Sequence, residues 1–515
     1  DFCLSRGLGD VYKRQVSTGW AMGDQEVLYV RPVGACSFSG NGTAYGCAAS
    51  TNAAGAFIGL NKPLWSATDA QVGKIDPNDI LYVCGTHDAS NASFRLAPTT
   101  DGNATDGHII LDGACPNDPG VIDGKGAGVR LVQLDTRHYF WTRNLTIQNA
   151  SGQDYAMSIY YGGSRIENRF MIVENCRFLN NATLSVIDFW GHELIVTGNY
   201  FDGAGSDVVH IEGGKNVTYT DNICINFSQV DHNGDCLQFN STMLSDTGTT
   251  LIQRNYCKKE TDLKYCFLVG DRTGYTEISD NYTECPFATA NPIGCSPILV
   301  EGKSGNTTFQ IRVWRNTIKY GHRCLTLYGG NNPNDRQQVI GNVIIGCGSM
   351  GVWVNSATDN VLIANNTIAE NGLLHITALG EHGVYIGKQN STAVTVINNL
   401  FYGNYSGIFY TGTIGATPTY NGYYGQVGFN IHRAGTGSIA VDASEKTEDP
   451  KPLPNGARPY RLDGPSPLRK GGTAVDECLS RDGQLCNSPP DIGAYQAHHG
   501  GVATGVSTYA AGPKH

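Results

Sequence analysis

One short phrase recurs through the chain: two or three alternating apolar residues, then Asn, then an apolar or small residue two places on. It reads RNLTI at Asn144, ENCRF at Asn175, GNYF at Asn199, DNICI at Asn222, RNYC at Asn255 and DNYT at Asn281. It continues as RNTI at Asn316, GNVII at Asn342, NNTI at Asn366, NNLF at Asn399 and FNI at Asn430, with copies about 23 to 35 residues apart. After each phrase and a turn comes a second alternating segment, such as DVVHIEGG, DCLQFNS, YCFLVGD, SPILVEG, RCLTLYGG, MGVWVNS and HGVYIGK. Two or three short strands per repeat, each repeat closing one turn of a coil, is the pattern of an all-β parallel solenoid. The 65 glycines and a charged fraction of 16% agree with many short strands joined by tight turns. Asn suits a coil corner because it tolerates left-handed backbone and its amide can bond to the Asn of the next coil. With coils stacked about 4.8 Å apart, eleven to thirteen of them make a rod of roughly 50 to 60 Å.

From about Val27 to Gln496 the chain resembles the right-handed parallel β-helix proteins of the pectate-lyase-like superfamily. The resemblance is carried by the Asn phrase and by KIDPNDILYVCGTH with GHIILDGACPNDPGVIDG, similar to that family's N-terminal cap and first coils. RPYRLDGPSPLRKGG and PDIGAYQ are similar to a C-terminal segment of secreted β-helix repeat proteins. It implies a right-handed parallel β-helix solenoid of about 11–13 coils. The organisation expected is a non-native leader over 1–15, an N-terminal cap and first coils over 16–128, the β-helix over 129–432, and an irregular capping segment and tail over 433–515. The family hosts lyases, hydrolases, epimerases and non-catalytic adhesins, so fold alone does not fix activity.

A net charge of -10 and a pI near 5.7 offer no clustered cationic face for nucleic acid. No run of 18 apolar residues exists to span a membrane. Sixteen cysteines and about fourteen N-x-Ser/Thr sequons point to an extracellular, oxidising setting, secreted or at the cell surface, and to a glycoprotein. The pairs expected are Cys36 with Cys47, Cys285 with Cys295 and Cys478 with Cys486. Between coils, at least one of Cys236 with Cys266 or Cys224 with Cys257 is expected to be bonded. With Cys3 set aside in the leader, an odd number leaves at least one thiol free.

If Leu237 and Phe239 point inward, alternation turns His210 and Gln238 outward in one column, and Glu212, Asn240 and Glu301 in the next. The charged turn VDHNGD (230–235) then lies on the rim, beside the rims carrying Lys258, Lys259, Asp271, Arg272, Lys303, His322 and Arg323. Cleaving a uronate polymer by β-elimination requires a neutralised carboxylate, a base for the proton α to it and an acid for the leaving oxygen. Calcium held by Glu212, Asp231, Asp235 and Asp271 is the expected neutraliser. Lys258, Lys259 and Arg272 are the candidate bases, and His232 or His210 the proton shuttle. Gln238, Asn240, Lys303, His322 and Arg323 are the candidate substrate-binding residues, and the expected partner is an acidic polysaccharide. A glycoside hydrolase on the same scaffold would use two carboxylates, with Glu212 and Asp235 the pair to measure. A non-catalytic adhesin or matrix glycoprotein would instead use the Trp353, Tyr385 and Phe409 column as a sugar-stacking or packing surface. Oligomeric state is not specified by these features.

Overall fold

The computed structural model describes residues 25–494 with internal breaks, among them 38–42, 51–56, 61–74, 160–167, 229–233, 241–247, 287–293, 303–308, 330–335, 373–380, 453–459 and 476–489. Each coil gives one strand to each of three sheets. The first sheet has fourteen strands and includes Val27–Arg31, Ile80–Val83 and, at its far end, Val394–Ile397. The second has thirteen strands of three residues each, from Thr86–Asp88 to Gly422–Tyr424. The third has thirteen, from Val132–Gln133 to an antiparallel Gly437–Ser438. All other strand pairs in these sheets are parallel, and the sheets reach well before residue 129. No helix among the described residues is long and apolar enough to cross a membrane.

The inward side chains of the third sheet form a column through the rod: Ile187, Val209, Leu237, Phe267, Ile298, Leu325, Val352, Val384 and Ile408, all fully buried. Each such burial contributes about 1.5–3 kcal/mol, which is why alternating β-branched and aromatic residues fix the register. Beyond the last coils, Leu462, Leu468 and Ile492 pack on Leu400. There Asn398 and Thr473 exchange hydrogen bonds, so the irregular C-terminal segment lies against the rod.

The repeated Asn forms a buried ladder between the first and second sheets. Asn199, Asn222, Asn255, Asn281, Asn316, Asn342, Asn366, Asn399 and Asn421 each offer Oδ1 to the backbone N–H of the corner one coil before. Their Nδ2 groups donate to a first-sheet carbonyl and, from Asn199 to Asn399, to the next Oδ1 as well, at 2.9–3.1 Å. Three expected rungs are corrected. Asn144 and Asn175 sit one residue earlier, at the left-handed position (φ 56° and 51°), where later coils place Gly198, Asp221, Arg254 or Tyr420. Leu145 and Cys176 take the ladder place in those coils, and the last rung is Asn421, not Asn430. The left-handed residue and the ladder residue are thus two consecutive positions, and Asn serves at either. Sequon asparagines Asn281, Asn365 and Asn404 are buried by the same corners, Asn281 within this ladder and Asn404 within a second one with Asn371.

The cysteines need a second correction. Cys224 and Cys257 are register neighbours, as expected, yet neither inter-coil pair is bonded. The bonds are Cys224–Cys236 and Cys257–Cys266, within single coils, with Cα atoms 6.0 Å apart in each. Cys236 and Cys266 are fully buried rather than outward, because the corner into the third sheet turns them to face the second sheet across the interior. Cys36–Cys47 and Cys285–Cys295 form, joined by Cys84–Cys115 and Cys324–Cys347. Cys478 and Cys486 lie outside the described residues, and Cys176 is a free buried thiol. Six disulfides fit folding in an oxidising compartment.

Candidate functional site

The outer face of the third sheet carries three columns of side chains, one residue per coil. The central column runs Ser158, Asp188, His210, Gln238, Leu268, Leu299, Thr326, Trp353, Tyr385, Phe409 and His432. Three residues earlier on each strand, at the corner, stand Asp207, Asp235, Tyr265, Ser296, Arg323, Met350 and His382. Two residues later stand Glu212, Asn240, Gly270, Glu301 and Tyr328.

In the N-terminal half this face is acidic around one imidazole. Nδ1 of His210 meets Oδ1 of buried Asp188 at 2.9 Å, and its Nε2 lies 3.9 Å from Oε1 of Glu212. Burial pulls the His210 pKa down. The Asp188 hydrogen bond and the charges of Asp188, Asp207 and Glu212 outweigh it, and the net shift is upward. At the corner, Asp207 accepts from the backbone N–H of Asp235, and Asp235 accepts from that of Tyr265. Burial first, and Asp207 second, hold the Asp235 carboxyl well above the usual carboxylate range.

The C-terminal half is aromatic around one guanidinium. Arg323 stacks 3.9 Å from the centroid of the Trp353 ring, and Tyr328 meets that ring edge-on at 5.3 Å. Tyr385 and Phe409 stack on each other at 5.3 Å, and His382 stacks on Phe409 at 4.3 Å. These ring faces are covered by one another, so that stretch of the column is a packing ladder more than an open stacking platform.

Several expected site residues fall elsewhere. Lys258 lies on the second sheet, paired with Glu260 at 3.4 Å, and not on this face. Lys259 alternates inward, is 1% exposed and donates to the Gly234 carbonyl, so it is no solvated base. His322 is buried at the corner, with its pKa lowered to about 4 by burial and then by Arg323. Glu212 and Asp235 stand on opposite outer columns, five residues and roughly 16 Å apart along the strand, beyond the reach of a hydrolase pair. His210, Glu212, Gln238, Asn240 and Arg323 do share the outer face. Asp231, His232 and Lys303 lie outside the described residues, as do the side chains of Asp271 and Arg272. Among the described residues no group of three or more His, Cys, Asp and Glu is arranged for a metal ion. Asp235, buried and held by backbone donors, does not fit a calcium site with distant Glu212. Asp188, Asp207, Tyr265 and Tyr328 had no place in the expected site. Their distances from the repeated Asn vary with corner length, and only the strand register aligns them.

The sequence of residues 296–421 matches the family described as Right handed beta helix region. No match to a curated protein was found. Among solved structures the chain is similar to the catalytic unit of a thermostable GH87 alpha-1,3-glucanase from Streptomyces thermodiastaticus, at 14% identity and TM-score 0.39, over 73% of this chain and 64% of that one. It is similar to pectate lyase Pel9A at 12% and 0.37, over 93% and 98%. With the PL6 family alginate lyase AlyGC it shares 16% at 0.39, over 84% and 58%. The chain thus spans less than two thirds of the glucanase and the alginate lyase, and scores this low carry no argument about activity. Three parallel sheets wound coil by coil give this chain a right-handed parallel β-helix fold, and the family match lies within it.

Proposed function

We propose that the protein is an extracellular carbohydrate-active enzyme that cleaves an acidic polysaccharide lying along the outer face of the third sheet. The observation that carries this reading is His210, held at Nδ1 by buried Asp188 while Nε2 lies 3.9 Å from Glu212 on the same outer face. With its Nδ1–H given to Asp188, a neutral His210 presents Nε2 as a proton acceptor; once charged, the same atom donates. Asp188 fixes the ring, and the upward shift of its pKa favours the charged imidazole between Asp188 and Glu212. The six disulfides support the extracellular setting.

Hydrolysis is the reaction best supported. His210 and Glu212, an imidazole and a carboxylate 3.9 Å apart, can give and take the two protons that acid–base cleavage of a glycoside moves. In that scheme charged His210 gives its Nε2 proton to the leaving oxygen as the bond to the anomeric carbon breaks, and the Glu212 carboxylate takes a proton from the water that attacks that carbon. β-Elimination at this point would need a cation beside the scissile uronate. The described groups that act on His210 are carboxylates, so elimination would depend on His232, Arg272 or Lys303, or on calcium held with Asp231 and Asp271.

Incubation with alginate, polygalacturonate and glycosaminoglycans, scored for both new reducing ends and ultraviolet absorbance of unsaturated uronate, tests the reading. Reducing ends without matching absorbance are expected, and His210→Ala should abolish them. One-to-one absorbance would replace hydrolysis by elimination. No product from any polymer would favour the non-catalytic glycoprotein.

A further inference from the structure

Arg323 projects from a corner of the third sheet with its guanidinium flat against Trp353, 3.9 Å from the ring centroid. Tyr265, Tyr328 and Tyr385 are the groups whose charges act on it, and no carboxylate is among them. Nor does it form an ion pair with any described residue. Its Nε is buried without a hydrogen-bond partner. A buried donor left unmatched costs about 1–3 kcal/mol, so the arrangement is stable by itself only because the stacked ring and packed tyrosines hold it. Stacking occupies the flat face of a guanidinium and leaves its in-plane N–H groups directed along the sheet surface, where a planar two-oxygen acceptor fits them side by side.

We propose that Arg323 on its Trp353 platform is the anchor for the carboxylate of a uronate-type sugar. It lies on the strand four coil steps from that of His210, about 19 Å along the rod. This rests on the reading of the outer face as a polysaccharide groove, and makes Arg323 the residue that selects an acidic chain while His210 acts several sugars away. Between the two centres the outer column is closed over at Gly270, where an added Cβ would stand 3.0 Å from Oδ1 of Asn240 and 3.9 Å from Oε2 of Glu301.

The test is binding, measured separately from cleavage, by affinity electrophoresis and by tryptophan fluorescence with Trp353→Phe as the control. The probes are polygalacturonate, alginate, a sulfated glycan and a neutral glucan, with the full chain. Wild type should bind the polyuronates, and Arg323→Ala should weaken that binding roughly ten- to hundred-fold, the worth of a charge-assisted hydrogen-bonded pair. Arg323→Lys should keep part of the affinity, which separates loss of the anchor from loss of the fold. Neutral glucan binding should not change, and fluorescence should respond to polyuronate only when Trp353 is present. Polyuronate affinity unchanged in Arg323→Ala, or absent in wild type, overturns the proposal. Sulfated glycan bound more tightly through Arg323 than any polyuronate overturns the assignment to a carboxylate. If Arg323→Ala loses binding while His210→Ala still cleaves, the anchor stands and the assignment of catalysis to His210 fails; the opposite outcome sinks the anchor alone.

Discussion

Lys259 lies inside the rod, its ammonium 4.9 Å from the Phe227 ring centroid and bonded to the Gly234 carbonyl, with buried Asp235 nearby. Its neighbour Lys258 faces solvent on the second sheet. Strand alternation alone separates their fates, and the prediction is accordingly asymmetric. Lys258→Ala should change stability by less than about 0.5 kcal/mol. Lys259→Ala should cost about 3 kcal/mol or more, because it leaves the buried Gly234 carbonyl unmatched and a cavity beside Phe227. Urea denaturation of the two single variants checks this, and equal midpoints would refute it. The alternating pattern of LQF and VVHIE made His210, Glu212 and Gln238 legible as outward residues. Strict alternation puts Asp235 inward with Leu237 and Cys236 outward with Gln238; both are buried, because the corner there breaks the period of two.

At the scale of the coil corner, the Asn ladder is the element that ties one coil to the next. Asn255 accepts from both N and Nδ2 of Asn222, and donates to the Tyr219 carbonyl and to Asn281. Asn255→Ala leaves several buried donors and acceptors unmatched at once, and should cost about 3 kcal/mol or more. Asn222→Ala combined with it should cost less than the sum of the two single changes, since each alone already breaks the Nδ2–Oδ1 bond between the two side chains. A double-mutant cycle by urea denaturation gives the coupling, and strict additivity would mean the rungs act independently. The repeat itself was visible in the sequence, because nine successive ladder places, Asn199 to Asn421, hold Asn. Which of two adjacent positions formed it in the first coils was not, since Asn also satisfies a left-handed turn.

At the scale of the whole rod, the ladder must end, and it ends on Glu445. This residue accepts from Asn421 N at 2.9 Å and from Nδ2 at 3.3 Å, in the place a further Asn would take. Burial pushes its pKa from 4.5 up to about 7 against the lowering by those hydrogen bonds. A folded pKa above the unfolded one favours the protonated group in the fold. Its contribution is therefore fully present below about pH 4.5 and is lost as pH rises through about 7, on the order of 2–3 kcal/mol in all. Glu445→Gln should remove that part of the pH dependence of unfolding between those values, and thermal melts of the full chain across the range check it. An unchanged pH slope would show that Glu445 does not titrate there. What the sequence by itself determined was the solenoid: a buried corner favours Asn and an interior strand alternating apolar residues, so most coils carry the same local signature. Which outward residues meet was decided by the tertiary structure. Corner loops of unequal length set the register, and that register brings Asp188 to His210 and Trp353 beneath Arg323 across separations no local pattern records.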